Sequence, residues 1–262
     1  MFCKKSLFVR KQSILCKHLH IFNIFNNLSK CHINDGDCQR EMMQTMIRDI
    51  AKTGVPELGM PKLDPMKMEN ISMSISDVLD ITLHEGNLRG IKGCIVDKFV
   101  TKIEKGRASI ELTCDVSIKG HYEVFSASPL IKTFFGGDTI HGDGIGKVKV
   151  EKLHLKFDFT FFIQRRNGEL YFKCKPDKTV YKFSINGKMT FVADNLYIGN
   201  KESSKVVTDL LNENWPFLMS TFGKPITDKA MGFVYEFMHT FFGSVAVKYF
   251  IIDDLSSYVR DE

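Results

Sequence analysis

The 262-residue chain is long enough for one large domain or two modest ones, and its 44% hydrophobic content with 22 phenylalanines against 7 prolines excludes a disordered chain. Its formal charge of +5 is carried by the first 30 residues, where Lys4, Lys5, Arg10, Lys11, Lys17 and Lys30 meet no acid; the rest holds 30 basic against 31 acidic residues. That near-neutral body lacks the electrostatic footprint of a nucleic-acid binder, so no nucleic acid is expected as a partner.

Residues 1–30 have the positive start of a secretory leader, but the apolar stretch Leu19-His20-Ile21-Phe22-Asn23-Ile24-Phe25 is short and no small-residue cleavage site follows. A basic, acid-free presequence also suits mitochondrial import. The expected division is a leader or poorly ordered segment over 1–30 and a single domain over 31–262. No integral membrane span is expected, because even the apolar stretch 226–252 is broken by Asp228, Lys229, Glu236 and Lys248.

Cys31 and Cys38 follow the leader seven residues apart. Oxidised, they would close a loop stabilised by about 2 to 3 kcal/mol, which favours an oxidising compartment. Zinc-finger spacing is missing, so no metal is expected. Cys94, Cys114 and Cys174 are widely spaced, and Cys114 lies on the apolar phase of a strand, where a free buried thiol is the expectation.

From 38 to 52, Met42, Met43, Met46, Ile47 and Ile50 fall at helical spacing, predicting a short amphipathic helix that ends at Gly54. Val55-Pro56-Glu57-Leu58-Gly59-Met60-Pro61-Lys62-Leu63-Asp64-Pro65 then reads as an extended crossing segment, since closely spaced prolines exclude regular structure. Beyond it the period drops to two: Ile71, Met73 and Ile75 alternate with serines, and Ile110, Leu112, Cys114, Val116 and Ile118 alternate with polar residues. These are half-buried antiparallel strands.

Val148 and Val150 hold one phase, whereas Leu153, Leu155, Phe157, Phe159 and Phe161 hold the other, which predicts a β-bulge between them. Asn167-Gly168 and Asn186-Gly187 read as hairpin turns. Gly136, Gly137, Gly142, Gly144 and Gly146 do not match a nucleotide fingerprint and read as glycines of a bending strand.

From about 205 the period is helical again. Val206, Val207, Leu210 and Leu211 lead to Ile226, Ala230, Phe233, Val234, Phe237, Phe241, Phe242 and Val245, with Pro216 and Pro225 expected to kink or interrupt the helix. Unbroken over 206–249 it would be about 66 Å long, which implies an elongated body.

Cys31 and Cys38, the Gly54–Pro65 run, Lys119-Gly120-His121-Tyr122 and Asn212-Glu213-Asn214-Trp215 together resemble the insect takeout and haemolymph juvenile-hormone-binding proteins of the tubular lipid-binding superfamily, over about residues 31–252. The resemblance implies an α+β fold: an elongated, strongly curved antiparallel β-sheet wrapped around a long C-terminal helix, with a short N-terminal helix. It further implies a Cys31–Cys38 disulfide, secretion, and an internal tunnel for a terpenoid, fatty acid or similar small hydrophobic molecule. The chain departs from the family pattern in its leader, around Val245-Ala246 where a proline is usual, and in lacking an obvious second cysteine pair, so the takeout branch fits better. Circadian, feeding and chemosensory roles belong to the family, and no residue here selects among them or names a protein receptor.

A carrier needs apolar area and a few orienting polar groups, with no catalytic residue and no cofactor. The candidate ligand-binding residues are Phe157, Phe159 and Phe161 on one strand, Phe183 and Phe191 on others, and Phe233, Phe237 and Phe241 on the helix. For any single one of them plain core packing is a commoner explanation than ligand contact, and a tunnel filled by side chains would make the same fold a protein-interaction module. His84, His121, His141, His154 and His239 have no metal-binding spacing; His121 beside Tyr122 reads first as a strand-surface histidine and only second as a donor to a ligand oxygen. No nucleophile elbow or other catalytic motif occurs. Asn70-Ile71-Ser72 is a candidate glycosylation sequon.

Overall fold

The computed structural model describes residues 29–75, 78–134, 136–175 and 179–260, so the expected leader over 1–30 lies almost wholly outside the described residues. Helix α1 spans Gly36–Thr53. It buries Met42, Met43, Met46 and Ile50 as the spacing predicts, and the Asp35 carboxylate caps it by accepting from the Cys38 N–H. The Cys31–Cys38 disulfide ties the segment before α1 to its first turn. Cys31 also forms a parallel bridge with Ile251, so both ends of the described chain meet there.

The Gly54–Pro65 run has definite duties. Gly54 has φ +68°, and a Cβ on it would stand 2.5 Å from the Met60 carbonyl oxygen, which reserves the position for glycine. The Ala51 carbonyl at the end of α1 accepts from the Leu63 and Asp64 N–H groups, and the Asp64 carboxylate accepts from Gly90 and Lys92. This buried aspartate fixes the crossing segment to the corner beyond β2.

Among the described residues, ten strands form one antiparallel sheet: β1 Met66–Ile75, β2 Leu79–Arg89, β3 Ile95–Lys102, β4 Arg107–Ser126, β5 Ile140–Arg166, β6 Glu169–Cys174, β7 Val180–Ile185, β8 Met189–Ala193, β9 Leu196–Ile198 and β10 Lys201–Glu202. The principal order is β1-β2-β4-β5-β9-β10, with β3 also on β4 and β6, β7 and β8 also on β5. The 27-residue β5 is the spine and pairs with five other strands.

The predicted bulge lies at Glu151-Lys152, where two residues of β5 oppose Asp115 of β4; Lys152 takes φ +50° and its N–H donates to the Asp115 carboxylate. Bulges increase twist and bend a strand. Register also shifts between Leu83 and Glu85 of β2, and between Val96 and Lys98 of β3.

Asn167-Gly168 is the hairpin turn between β5 and β6, with φ of +51° and +81° as a type I′ turn requires. The Asn186-Gly187 expectation is corrected: β7 and β8 both pair with β5, one on each side of its bulge, so this dipeptide carries one strand line past the bulge. The Asn186 N–H donates to the Lys152 carbonyl there. Gly136 and Gly137 belong to a turn after the short helix α2 (Pro129–Phe134) and not to the strand.

Helix α3 runs unbroken over the 41 residues Ser204–Ser244 and is about 61 Å long. Pro216 and Pro225 lie inside it without interrupting it. Each removes one backbone hydrogen bond, and tertiary anchors hold the turns around them. Asn212 both accepts from the Phe191 N–H and donates to its carbonyl, satisfying the β8 backbone that no further strand pairs. The Tyr181 hydroxyl on β7 bonds Thr227 and Asp228.

A second disulfide joins Cys94 and Cys114, which corrects the expected free thiol at Cys114. Its cause is register. Ile95 faces Thr113, so Cys94 extends the β3–β4 ladder directly opposite Cys114. Without the bulge at Asp97 the register would set Cys94 against Asp115. Cys174 is a buried free thiol whose burial pushes its pKa up to about 11, away from reactivity. No described helix is long and apolar enough to cross a membrane, and no described group of His, Cys, Asp or Glu is arranged to hold a metal ion.

Candidate functional site: an apolar span between two packed ends

The inner face of the sheet differs along its length. At one end a large core gathers α1, β3, the distal half of β5 and the C-terminal segment around Phe241, Val245, Phe250 and Leu255. Phe157, Phe159 and Phe161 of β5 are there, 4–6% exposed, with Phe241 of α3 at 1%. Each of these rings meets another ring: Phe157 and Phe159 lie 5.8 Å apart, Phe161 meets Phe172 edge-on at 4.9 Å, and Phe241 meets Phe242 edge-on at 5.2 Å.

At the other end a small cluster of Tyr122, Val124, Ile140, Leu196 and Val207 closes the sheet against the start of α3. Tyr122 donates its hydroxyl to the Asp194 carbonyl at 2.6 Å. Burial, with the charges of Asp194, Asp143 and Glu202, pushes its pKa up to about 12. Gly142 and Gly146 leave room for this side chain: a Cβ on Gly146 would stand 3.0 Å from the ring, and one on Gly142 would stand 3.1 Å from the hydroxyl. The inward glycines thus do more than bend β5.

Between these ends the same face is apolar but incompletely covered. Leu88, Ile118, Val148 and Phe191 pair in register across β2, β4, β5 and β8, a single row of four apolar side chains. All four are only half-buried, as are Leu211, Trp215, Leu218, Met219 and Phe222 of α3. Among the described residues, the row of four belongs to neither packed cluster. A row nearer the end, Ile110 facing Phe157, is 3–4% exposed, so the contrast does not arise from the residue types.

The eight phenylalanines singled out in the sequence therefore fall into four places. Phe157, Phe159, Phe161 and Phe241 are in the packed end. Phe183 and Phe237 are half-buried at its margin, with Phe183 beside Gly223 of α3, while Phe191 is in the open row. Phe233 is 40% exposed and stands apart from both clusters. His121 points away from the interior and pairs with Asp143 on the outer face, so it is not placed to meet a molecule inside. Leu88, Ile118 and Val148 were not singled out, although Ile118 and Val148 lie on the inward alternation; alternation names a face, and strand register is needed to show which residues share a row.

A family model described as haemolymph juvenile hormone binding protein matches residues 12–252. The chain belongs to this family. The crystal structure of Epiphyas postvittana Takeout 1 is similar in fold, with a TM-score of 0.74 and 25% identity, over 86% of this chain and 99% of that one. No curated protein matches the sequence. The curved antiparallel sheet, long C-terminal helix and short N-terminal helix of the takeout fold are thus those of this family member.

Proposed function

We propose that the chain is a secreted, non-enzymatic carrier that holds one small hydrophobic molecule, a terpenoid, fatty acid or similar compound, against the half-buried apolar span between the two packed ends. The observation that carries this reading is the row Leu88, Ile118, Val148 and Phe191. A solid core would cover these side chains as it covers Ile110 and Phe157, whereas a ligand would supply the missing contacts. Each methylene it removes from water contributes about 0.8 kcal/mol, so a long acyl or isoprenoid chain binds without catalytic or metal groups.

Phe183, Phe191 and Phe237 are the phenylalanines placed to line this span, with Phe157, Phe159, Phe161 and Phe241 forming its end wall. Family membership and the two disulfides support an extracellular carrier. Asn70 suits a glycan in that compartment, being exposed with φ +52° on the edge strand β1.

Native mass spectrometry of protein secreted from insect cells, followed by denaturation and organic extraction, tests the reading. A stoichiometric apolar molecule is expected, together with saturable rebinding of a fatty-acyl or terpenoid probe by the stripped protein. Failure of any such probe to bind would overturn it in favour of a fold whose interior is closed by its own side chains.

A further inference from the structure

We propose that the outer face of the sheet carries a second binding site, separate from the interior, for a small organic cation of the alkylammonium class. A surface cavity of about 370 Å³ lies over β4, β5 and β9, walled by Glu123, Phe125, His141, Asp143, Asn195 and Tyr197. Strand register explains why these side chains converge. Phe125 faces His141, and His141 faces Tyr197, which sets three rings in one row across adjacent strands; Glu123 faces Asp143 two residues along on the same face.

The His141 and Tyr197 rings stack at 5.3 Å with an interplanar angle of 10°, and Phe125 is 51% exposed beside them. The two stacked rings cover part of each other's faces, so the open aromatic surface of the row is largely that of Phe125, bordered by two carboxylates. The carboxylates are held in place by histidines on the same face: His84 bonds Glu123 at 3.0 Å, His121 bonds Asp143, and the two imidazoles lie 5.1 Å apart.

Chemistry selects the ligand class. An aromatic face attracts a cation through its quadrupole, and weakly hydrated alkylammonium groups exploit this best. Carboxylates at the rim add Coulombic attraction and repel anions. A neutral apolar molecule would gain from the rings but would have to desolvate the carboxylates, so it is disfavoured. The negative surroundings extend further, since the charges of Asp194, Asp143 and Glu202 all act on the nearby Tyr122 hydroxyl.

The test uses the whole folded chain and two probes of one shape, choline and its uncharged isostere 3,3-dimethyl-1-butanol, each titrated at fixed ionic strength and followed by amide chemical shifts. Choline is expected to give saturable shifts at Glu123, Phe125, His141 and Tyr197, and the isostere none. Because these side chains lie on the surface, Phe125→Leu should leave the spectrum elsewhere unchanged and weaken choline by about threefold, and Glu123→Gln with Asp143→Asn by about tenfold. Absence of saturable shifts, equal response to both probes, or choline binding unchanged by the substitutions would each overturn the site. Vesicles of dioleoylphosphatidylcholine form a second arm. Co-sedimentation abolished by the same substitutions assigns the cation to a lipid headgroup, and choline binding without co-sedimentation assigns it to a free solute. The shifts are read at outer-face residues and not at the interior row of Leu88, Ile118, Val148 and Phe191, so this site and the carrier reading stand or fall separately.

Discussion

The packed end and the open span use one sheet, one helix and similar apolar residues, yet one region is closed and the other is not. At the closed end three sources of apolar area converge on β5: the methionine face of α1, the phenylalanines near the end of α3, and the C-terminal segment anchored on Cys31. Along the open span, among the described residues, only α3 faces the sheet, tied at its edge through Asn212 to β8 and through Thr227 and Asp228 to Tyr181. Coverage, more than hydrophobicity, separates the packed core from the open span.

The largest effect that would expose this contrast is truncation. Phe241→Ala is expected to destabilise by about 3 to 5 kcal/mol, because a fully enclosed ring leaves a cavity. Phe191→Ala should cost less than about 2 kcal/mol, since part of that ring's area is already uncovered. Chemical denaturation of the two variants checks the difference, and equal losses would mean that the span is as tightly packed as the end.

Removing the second disulfide comes next. With a sequence separation of 20, replacing both Cys94 and Cys114 by Ser is expected to cost about 3 kcal/mol in the chain-entropy account. Thermal unfolding read alongside probe binding is the measurement; stability should fall while the folded protein still binds, because the bridge joins β3 to β4 outside the open row.

Overpacking sharpens the comparison in the opposite direction. Ile163→Phe, at a position 1% exposed, should destabilise by about 1 to 3 kcal/mol, as extra volume in a full core does. Val148→Phe adds volume to the open row and should change stability by less than about 1 kcal/mol while weakening a fatty-acyl probe roughly tenfold, the equivalent of losing about two buried methylenes. A Val148→Phe variant that binds normally would remove that row from the lining.

The smallest effect belongs to Tyr122 at the far end. Its folded pKa of about 12 exceeds the ordinary value of 10.0, so the folded state holds the phenol proton more firmly. The stabilisation is fully present below pH 10 and is lost as the pH rises from 10 towards 12. Tyr122→Phe should flatten that part of the stability profile relative to the parent, as measured by denaturation at a series of alkaline pH values.

Much of the fold was legible because its signals are local. Met42, Met43, Met46 and Ile50 announce α1, the change of phase between Val150 and Leu153 announces the bulge, and Asn167-Gly168 announces a type I′ turn, each through backbone preferences within a few residues. The Asn186-Gly187 dipeptide misled for the same reason. It carries the hairpin preference, but the long β5 ladder offered both flanking segments a better partner than each other. The eight phenylalanines were likewise visible as candidates for the interior, whereas their separation into packed end, margin, open row and exposed position depended on what lies opposite each ring.

Local pattern and family motif thus determined by themselves that the chain forms a curved antiparallel sheet with a long apolar helix, and that its interior is phenylalanine-rich. Tertiary structure alone decided three matters: that Cys94 meets Cys114, that α3 passes unbroken through Pro216 and Pro225, and that Leu88, Ile118, Val148 and Phe191 share an uncovered row. The physical reason is common to all three. Register and coverage depend on bulges and contacts between segments far apart in the chain, and a single bulge at Asp97 or Lys152 changes which residues face each other without altering the alternation that the sequence displays.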